Sequence, residues 1–255
     1  MRRLIEFPCA GVRLLGTLDE AAGKTGLLIA SGGNEIRVGA HRGMALLAQR
    51  LAAAGVPVFR FDRRGVGDSE GQNGGFLSSA PDIAAAAATF TAETGVKHLA
   101  AFGNCDAATA LALFGHVAGI DRLILANPWT IEEADDLPPA AAIRARYAEK
   151  LRDPAEWLRA ARGGVNFRKL AGGLRKVSQK TSQQPESLAA RLTDALATWE
   201  GRATILLAKG DATAIAFQNA VKGLPVETRD TASHSFARAG DADWLFEQIL
   251  AALSA

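Results

Sequence analysis

The sequence predicts an α/β protein in which a mostly parallel sheet is covered by helices on both faces. Six short apolar runs alternate with longer stretches rich in alanine and leucine, which have the pattern of helices. This alternation favours parallel strands, because each helix crosses over the sheet before the next strand begins. The length of 255 residues suits one domain with an insertion, and the hydrophobic fraction of 48% is enough for a large core.

The elements follow one another in a regular order. The segment LIEFPCAGVRLLGTLD predicts a leading hairpin that turns near Gly11. The six strand-like runs are GLLIAS (26–31), VPVFRFD (56–62), KHLAAFG (97–103), RLILANP (122–128), ATILLAKG (203–210) and PVETRD (225–230). Helical patterns lie between the early runs at 41–55, 81–95 and 106–119, and an amphipathic helix, DADWLFEQILAAL, follows the last run.

One interval interrupts this alternation, because residues 130–201 contain no strand-like run. Within it, residues 144–191 hold 12 Lys and Arg against 4 Asp and Glu, a local excess of +8, whereas the rest of the chain holds 17 against 23. We therefore predict a core formed by 1–129 and 202–255, with a basic helical cap or lid from 130–201. A solvated helical face is the alternative interpretation of such a charge run.

The stretch AFGNCDAATA (101–110) predicts a cysteine exposed on a tight turn between a strand and a helix. Gly103 and Ala107 keep the flanks small where the two backbones approach each other. Cys105 also lies at the N-terminus of the predicted helix, where backbone N–H groups favour a thiolate. Cys105 is therefore a candidate nucleophile, and a small buried structural cysteine is the alternative.

A nucleophile on such a turn needs a base and an acid, and both are found later in the chain. His116 falls inside the following helical pattern, whereas His234 lies in TASHSF, a loop before the last helix. Asp211 directly follows the ATILLAKG run, where a carboxylate can hold the imidazole in the tautomer that accepts a proton from the thiol. The order nucleophile, acid, histidine fits this architecture. Other candidate acids are Asp230, Asp241 and Asp243.

Two backbone N–H groups are expected to stabilise the negative charge that develops on a substrate oxygen. One is that of Asp106, which follows the candidate nucleophile. The other comes from the loop SGGNEIRVG, where Gly33 and Asn34 are both candidates. The carboxylate of Asp106 is favourable in a first helical turn, but it would disfavour a thiolate if it turned inward. Expected substrate contacts on the cap and its border are Trp129, Tyr147 and Arg144.

Composition excludes several classes of function. A net charge of +2 gives no general attraction to nucleic acid. Two cysteines, Cys9 and Cys105, do not make a disulfide framework. The N-terminus has no apolar run typical of a signal peptide, and no run of 18 apolar residues predicts a membrane span. We expect a cytoplasmic protein without a cofactor, and without a metal because the four histidines lie in separate segments.

Several segments together resemble the α/β-hydrolase superfamily, and DRRGVGDS (62–69) is similar to its D-x-R-G-x-G-x-S loop. The segments are AFGNCDAATA, FDRRGVGDSEG, ASGGNEIRVGAHR, LLAKGD and ASHSF. SGGNEIRVGAHR with GNCDAA more narrowly resembles the exosortase A system-associated hydrolases of type 1, which are associated with bacterial exopolysaccharide and protein-sorting loci. The resemblance implies an eight-stranded α/β-hydrolase fold and a triad of Cys105, Asp211 and His234.

The sequence thus predicts a hydrolase of carboxyl esters or thioesters that forms a covalent acyl-thioester. A thiolate is a better nucleophile than an alcohol, and His234 can activate it. Dienelactone hydrolases and polyhydroxyalkanoate synthases also resemble α/β-hydrolases with a cysteine at this place, so an acyltransferase is one alternative. A non-catalytic binding protein is another, although the order of the triad argues against it. A basic cap would favour small anionic substrates.

Overall fold

The computed structural model describes residues 1–131 and 187–254. Eight strands of these residues form one sheet in the order β1-β2-β4-β3-β5-β6-β7-β8. Their bounds are β1 Arg2–Cys9, β2 Val12–Asp19, β3 Thr25–Ala30, β4 Val58–Phe61, β5 His98–Asn104, β6 Arg122–Ala126, β7 Ala203–Ala208 and β8 Glu227–Arg229. The predicted fold class is confirmed, and each of the six predicted runs overlaps one of the strands β3 to β8, with β3 beginning one residue before its run and β5 ending one residue after its run.

Among the eight described strands, β2 alone runs opposite to the others. β1 and β2 form the predicted antiparallel hairpin, with Cys9 paired to Val12 and the turn at Ala10 and Gly11. β2 also pairs antiparallel with β4, whereas every pair from β4 to β8 is parallel. Because parallel strands end at the same edge of a sheet, the loops after β3, β5, β6, β7 and β8 lie at one edge.

Helices pack against both faces of the sheet. They are α1 Gly43–Ala53, α2 Ala80–Thr94, α3 Asp106–Phe114, α4 Leu188–Ala197, α5 Ala212–Ala220 and α6 Asp241–Ser254, with short 3₁₀ helices at Ala40–Arg42 and Phe76–Ser78. α1 and α6 contribute to the core on one face, and α2 to α5 contribute to the core on the other. Among the described helices, none is long and apolar enough to cross a membrane.

The strand sequences explain this two-faced core. Along β3, Leu27 and Ile29 pack into the core with α1 and α6, while Leu28 and Ala30 pack into the core with α2 to α5. Successive side chains of a strand point to opposite faces, so a strand covered on both faces needs an unbroken apolar run. The run GLLIAS meets that requirement.

The last residues of the predicted cap belong to the packed core. Leu192 and Leu196 of α4 are buried in the same cluster as α3, and the indole N–H of Trp199 donates to the carbonyl of Ala112 at 3.1 Å. Residues 132–186, which include most of the predicted cap, lie outside the described residues. The cap itself therefore stays a prediction.

Candidate active site

Cys105 occupies a sharp turn between β5 and α3. Its backbone has φ 59° and ψ −127°, a conformation that L residues rarely adopt. Strain of this kind persists where the surrounding structure enforces it, and it is typical of the turn that exposes a nucleophile between a strand and a helix. The Cys105 N–H donates to the carbonyl of Ala126 at 3.0 Å, which ties the turn to the end of β6.

The small residues beside Cys105 allow the strand and the helix to approach closely. A Cβ at position 103 would lie 2.9 Å from backbone atoms of Ala107 and Ala108 and from Cδ1 of Leu111. Gly103 therefore cannot be replaced without moving α3 away from β5. The expected tight approach is confirmed.

Asp211 and His234 meet at the edge of the sheet where β7 and β8 end. Nδ1 of His234 lies 3.0 Å from Oδ2 of Asp211. The Asp211 carboxylate is buried and caps α5, since Oδ2 also accepts from the N–H groups of Thr213 and Ala214, each at 3.1 Å. The carboxylate is thus fixed by its own helix before it contacts the imidazole.

The electrostatic surroundings of His234 favour its protonated form. Burial lowers the pKa of the imidazole, but hydrogen bonds to Asp211 and Cys105 and the negative charges of both groups outweigh burial and raise the pKa to about 10. His234 therefore carries a proton near neutral pH, and it lies against the Asp211 carboxylate and beside the turn that holds Cys105. The structure brings together all three predicted triad residues.

The other candidate acids and the other candidate histidine have different partners. Asp241 contacts Nε of Arg229 at 3.0 Å and Oγ1 of Thr231 at 2.6 Å. Asp243 pairs with Arg50 at 2.9 Å. The rings of His116 and Trp199 stack with centroids 3.7 Å apart, and Asp230 is exposed. Within residues 1–131 and 187–254, Asp211 is the acid placed against His234.

Two asparagines that the sequence analysis did not single out hold the loop of His234. The side-chain amide of Asn127 donates to the backbone carbonyl of His234 at 3.0 Å, and that of Asn104 donates to the same carbonyl at 3.1 Å. Asn127 is fully buried, and its Oδ1 accepts from the N–H of Ala208 at 2.9 Å. A polar residue directly after the apolar run RLILA was the signal that could have identified Asn127.

The loop after β3 packs directly against the nucleophile turn. A Cβ at position 32 would lie 3.2 Å from Cβ of Cys105 and 2.5 Å from the carbonyl oxygen of Asn104. The N–H of Gly33 donates to Oδ1 of Asp106 at 2.7 Å. Within the described part of the chain, the N–H groups of Asn34 and Asp106 have no hydrogen-bond partner.

The predicted substrate contacts are only partly described. Trp129 lies beside the nucleophile turn, because its N–H donates to the carbonyl of Cys105 at 3.2 Å and its carbonyl accepts from Oγ1 of Thr109 at 2.7 Å. Tyr147 and Arg144 lie outside the described residues. A substrate-binding role for all three stays a prediction.

The second cysteine has surroundings unlike those of Cys105. Cys9 is buried at the end of β1, with Sγ 3.4 Å from Oδ1 of Asp82. Burial, the hydrogen bond to Asp82 and the charge of that carboxylate raise the pKa of the Cys9 thiol to about 11. Cys9 is therefore a protonated structural thiol at neutral pH.

The parallel sheet, the strained turn after β5 and the histidine loop after β8 define an α/β hydrolase. A family model described as serine aminopeptidase, S33, matches residues 27–225, so the chain belongs to that hydrolase family. The chain is accordingly an enzyme that hydrolyses ester or similar bonds. The family is named for a serine, whereas this chain has Cys105 at the turn. No curated protein matches the chain.

Solved structures share this fold over nearly the whole chain. An α/β hydrolase from Penicillium is 16% identical, with a TM-score of 0.64 and coverage of 100% of this chain and 98% of that one. An esterase from Pyrococcus furiosus is 16% identical, with a TM-score of 0.64 and coverage of 100% and 90%. A proline iminopeptidase-related protein from Thermus thermophilus is 18% identical, with a TM-score of 0.57 and coverage of 99% and 98%. At these sequence identities, the similarity to the three structures shows a shared fold alone.

Proposed function

We propose that the protein hydrolyses carboxyl esters or thioesters with a triad of Cys105, His234 and Asp211. The observation that carries this proposal is the position of His234, whose Nδ1 lies 3.0 Å from Asp211 and whose backbone carbonyl accepts from Asn104, the residue directly before Cys105, at 3.1 Å. A histidine between a carboxylate and a thiol can move a proton and keep a fixed tautomer.

The reaction has two steps. The Cys105 thiolate attacks the carbonyl carbon, and the bond to the leaving alcohol or thiol breaks as protonated His234 gives its proton to the departing oxygen or sulfur. The acyl group is then joined to Sγ as a thioester. In the second step His234 takes a proton from water, the resulting hydroxide equivalent attacks the thioester, and the carboxylic acid and the Cys105 thiolate are released.

We assign the oxyanion-stabilising donors to the backbone N–H groups of Asp106 and Asn34. Both groups lack a partner in the part of the chain that the structure describes, whereas the N–H of Gly33 already donates to Asp106. Donors fixed before the reaction stabilise developing charge without further reorganisation. Gly33 thus has a different role from the one proposed for Asn34.

The test is the mass of the protein after it reacts with a panel of small esters and thioesters. We expect one acyl group on Cys105, which disappears as product forms. Cys105→Ala should form no adduct, while Cys105→Ser should react slowly because its alcohol stays protonated. If no ester or thioester of the panel forms an adduct with the protein and none is converted to product, the proposal is refuted. Product analysis with added alcohols would reveal acyl transfer in place of hydrolysis.

A further inference from the structure

Gly33 is held through both of its backbone polar groups by two charged side chains. Its N–H donates to Oδ1 of Asp106 at 2.7 Å, and its carbonyl accepts from Nη2 of Arg63 at 2.5 Å. The same Nη2 lies 3.6 Å from Oδ1 of Asp106. A carboxylate and a guanidinium therefore enclose one glycine, whose φ of 56° lies in the left-handed region that glycine adopts without strain.

This arrangement lies next to the proposed nucleophile. Gly32 packs against Cβ of Cys105, so a small shift of Gly33 moves the adjoining N–H groups relative to the sulfur. Oxyanion-stabilising donors act only if they lie at hydrogen-bond distance from the developing charge. The position of residues 31–34, here called the donor loop, is therefore important for the rate of the chemical step.

Arg63 is an unusual residue to bury for packing alone. Its side chain is only 7% exposed, and within the described residues its Nη1 has no hydrogen-bond partner. The loop that carries Arg63 is itself fixed, because the Asp62 carboxylate accepts from the N–H of Arg37 at 2.5 Å and from the N–H of Asp68 at 3.2 Å. Burying a guanidinium with an unpaired nitrogen is unfavourable, and the neighbouring Asp106 charge offsets that penalty.

Asp106 also does more than favour the start of α3. An acid in a first helical turn is stabilised by the helix dipole wherever its carboxylate points. Here the carboxylate reaches residue 33, which is 73 positions earlier in the chain and belongs to a different loop. The contact therefore joins the nucleophile turn to the donor loop.

We propose that Asp106 and Arg63 are positioning residues that hold the donor loop over Cys105. Asp106 has two functions on this proposal: its backbone N–H faces the substrate oxygen, and its carboxylate fixes the loop that supplies the second donor. The expected effect on catalysis rests on the proposed function. The expectation that Asp106 and Arg63 fix the donor loop does not depend on it.

The first measurement is hydrogen exchange of the peptide that covers residues 31–35. Asp106→Ala removes the acceptor of the Gly33 N–H, so we expect exchange there to be about tenfold faster or more. Asp106→Asn keeps an oxygen acceptor but loses the charge. Hydrogen exchange of residues 31–35 in this variant should therefore be faster than in the wild type and slower than in Asp106→Ala. Asp194→Ala, at an exposed position of α4, is the matched control and should exchange like the wild type.

The second measurement separates positioning from folding. We expect Asp106→Ala to lower kcat for an activated ester by about ten- to a hundredfold with little change in KM, since the donors act on the transition state. Alkylation of Cys105 by iodoacetamide needs no oxyanion donor, so it should not slow. Arg63→Met combined with Asp106→Ala should lose little beyond the single Asp106 variant, because both residues act through Gly33.

The outcomes distinguish this inference from the proposed function. Unchanged exchange of residues 31–35 in Asp106→Ala overturns the inference, whatever the activity. Faster exchange with unchanged kcat shows that the contact has no positioning role and also overturns it. A wild-type protein that is never acylated refutes the proposed function, and the exchange measurement still decides whether Asp106 holds the donor loop.

Discussion

The side-chain amide of Asn127 donates to the backbone carbonyl of His234 at 3.0 Å. Asn127 follows β6, and its Oδ1 accepts from the N–H of Ala208 at the end of β7. One buried side chain therefore fixes the histidine loop relative to two strand ends. Because Asn104 donates to the same carbonyl from the position before Cys105, the nucleophile turn and the base share an anchor.

Asn127→Asp is expected to disturb this anchor selectively. The variant keeps an acceptor for the N–H of Ala208 but replaces the donating amide with an oxygen that faces the carbonyl of His234. We expect a loss of acylation rate larger than that of Asn104→Ala, which leaves the Asn127 contact intact. Asn127→Ala should in addition lower the free energy of unfolding by about 1–3 kcal/mol, because it leaves a buried N–H without a partner.

Acylation rates and urea unfolding curves of these three variants test the anchor. If Asn127→Asp reacts as fast as the wild type, the amide does not position His234. If Asn127→Ala keeps the wild-type free energy of unfolding, the polar contacts of Asn127 contribute nothing to stability.

The two thiols are expected to differ sharply in reactivity. At pH 7 a thiol with a pKa of about 11 is ionised to only about one part in ten thousand, and Cys9 is also buried. Iodoacetamide should therefore add a single group to the native protein, at Cys105, with Cys9 reacting only after unfolding. Peptide mass mapping identifies the site, and Cys105→Ala is the control that should stay unmodified. Preferential modification of Cys9 would contradict the assignment.

The fold was predictable because buried parallel strands need unbroken apolar runs. GLLIAS and RLILANP show such runs plainly; β6 lies within the second, and β3 overlaps the first and begins one residue before it. The predicted triad could also be placed, since each of its members follows a strand and the carboxyl ends of parallel strands meet at one edge.

The anchors of the site were not predictable in the same way. Asn127 and His234 are 107 positions apart, and their contact depends on the relative heights of two loops above the sheet. The contact of Asp106 with Gly33 likewise depends on which rotamer the carboxylate adopts at the start of α3. Sequence periodicity specifies which face a residue occupies, but it does not specify which backbone group a polar side chain reaches.

Asp211 is expected to be the acid that orients His234. Asp211→Asn should lower kcat on the order of several hundredfold or more, since it removes the carboxylate that holds the imidazole. Asp230→Asn is the control, because that side chain is exposed on the loop before His234. Asp241→Asn should lower stability through its lost contacts with Arg229 and Thr231, with a much smaller effect on kcat. If Asp211→Asn keeps full activity, a residue other than Asp211 orients His234.

The final prediction concerns the charge of His234. Burial lowers the pKa of His234 in the folded protein, but the hydrogen bonds and negative charges of Asp211 and Cys105 outweigh burial and raise the pKa from an ordinary value of 6.5 to about 10. A folded-state pKa above the unfolded value means that protonation stabilises the fold. This contribution is fully present below about pH 6.5 and is lost as the pH rises through about 10. The free energy of unfolding of the wild type should therefore exceed that of His234→Gln by more at pH 6 than above pH 10. NMR titration of the imidazole should show the pKa falling in Asp211→Asn, and an unchanged pKa in that variant would mean that Asp211 does not stabilise the imidazolium.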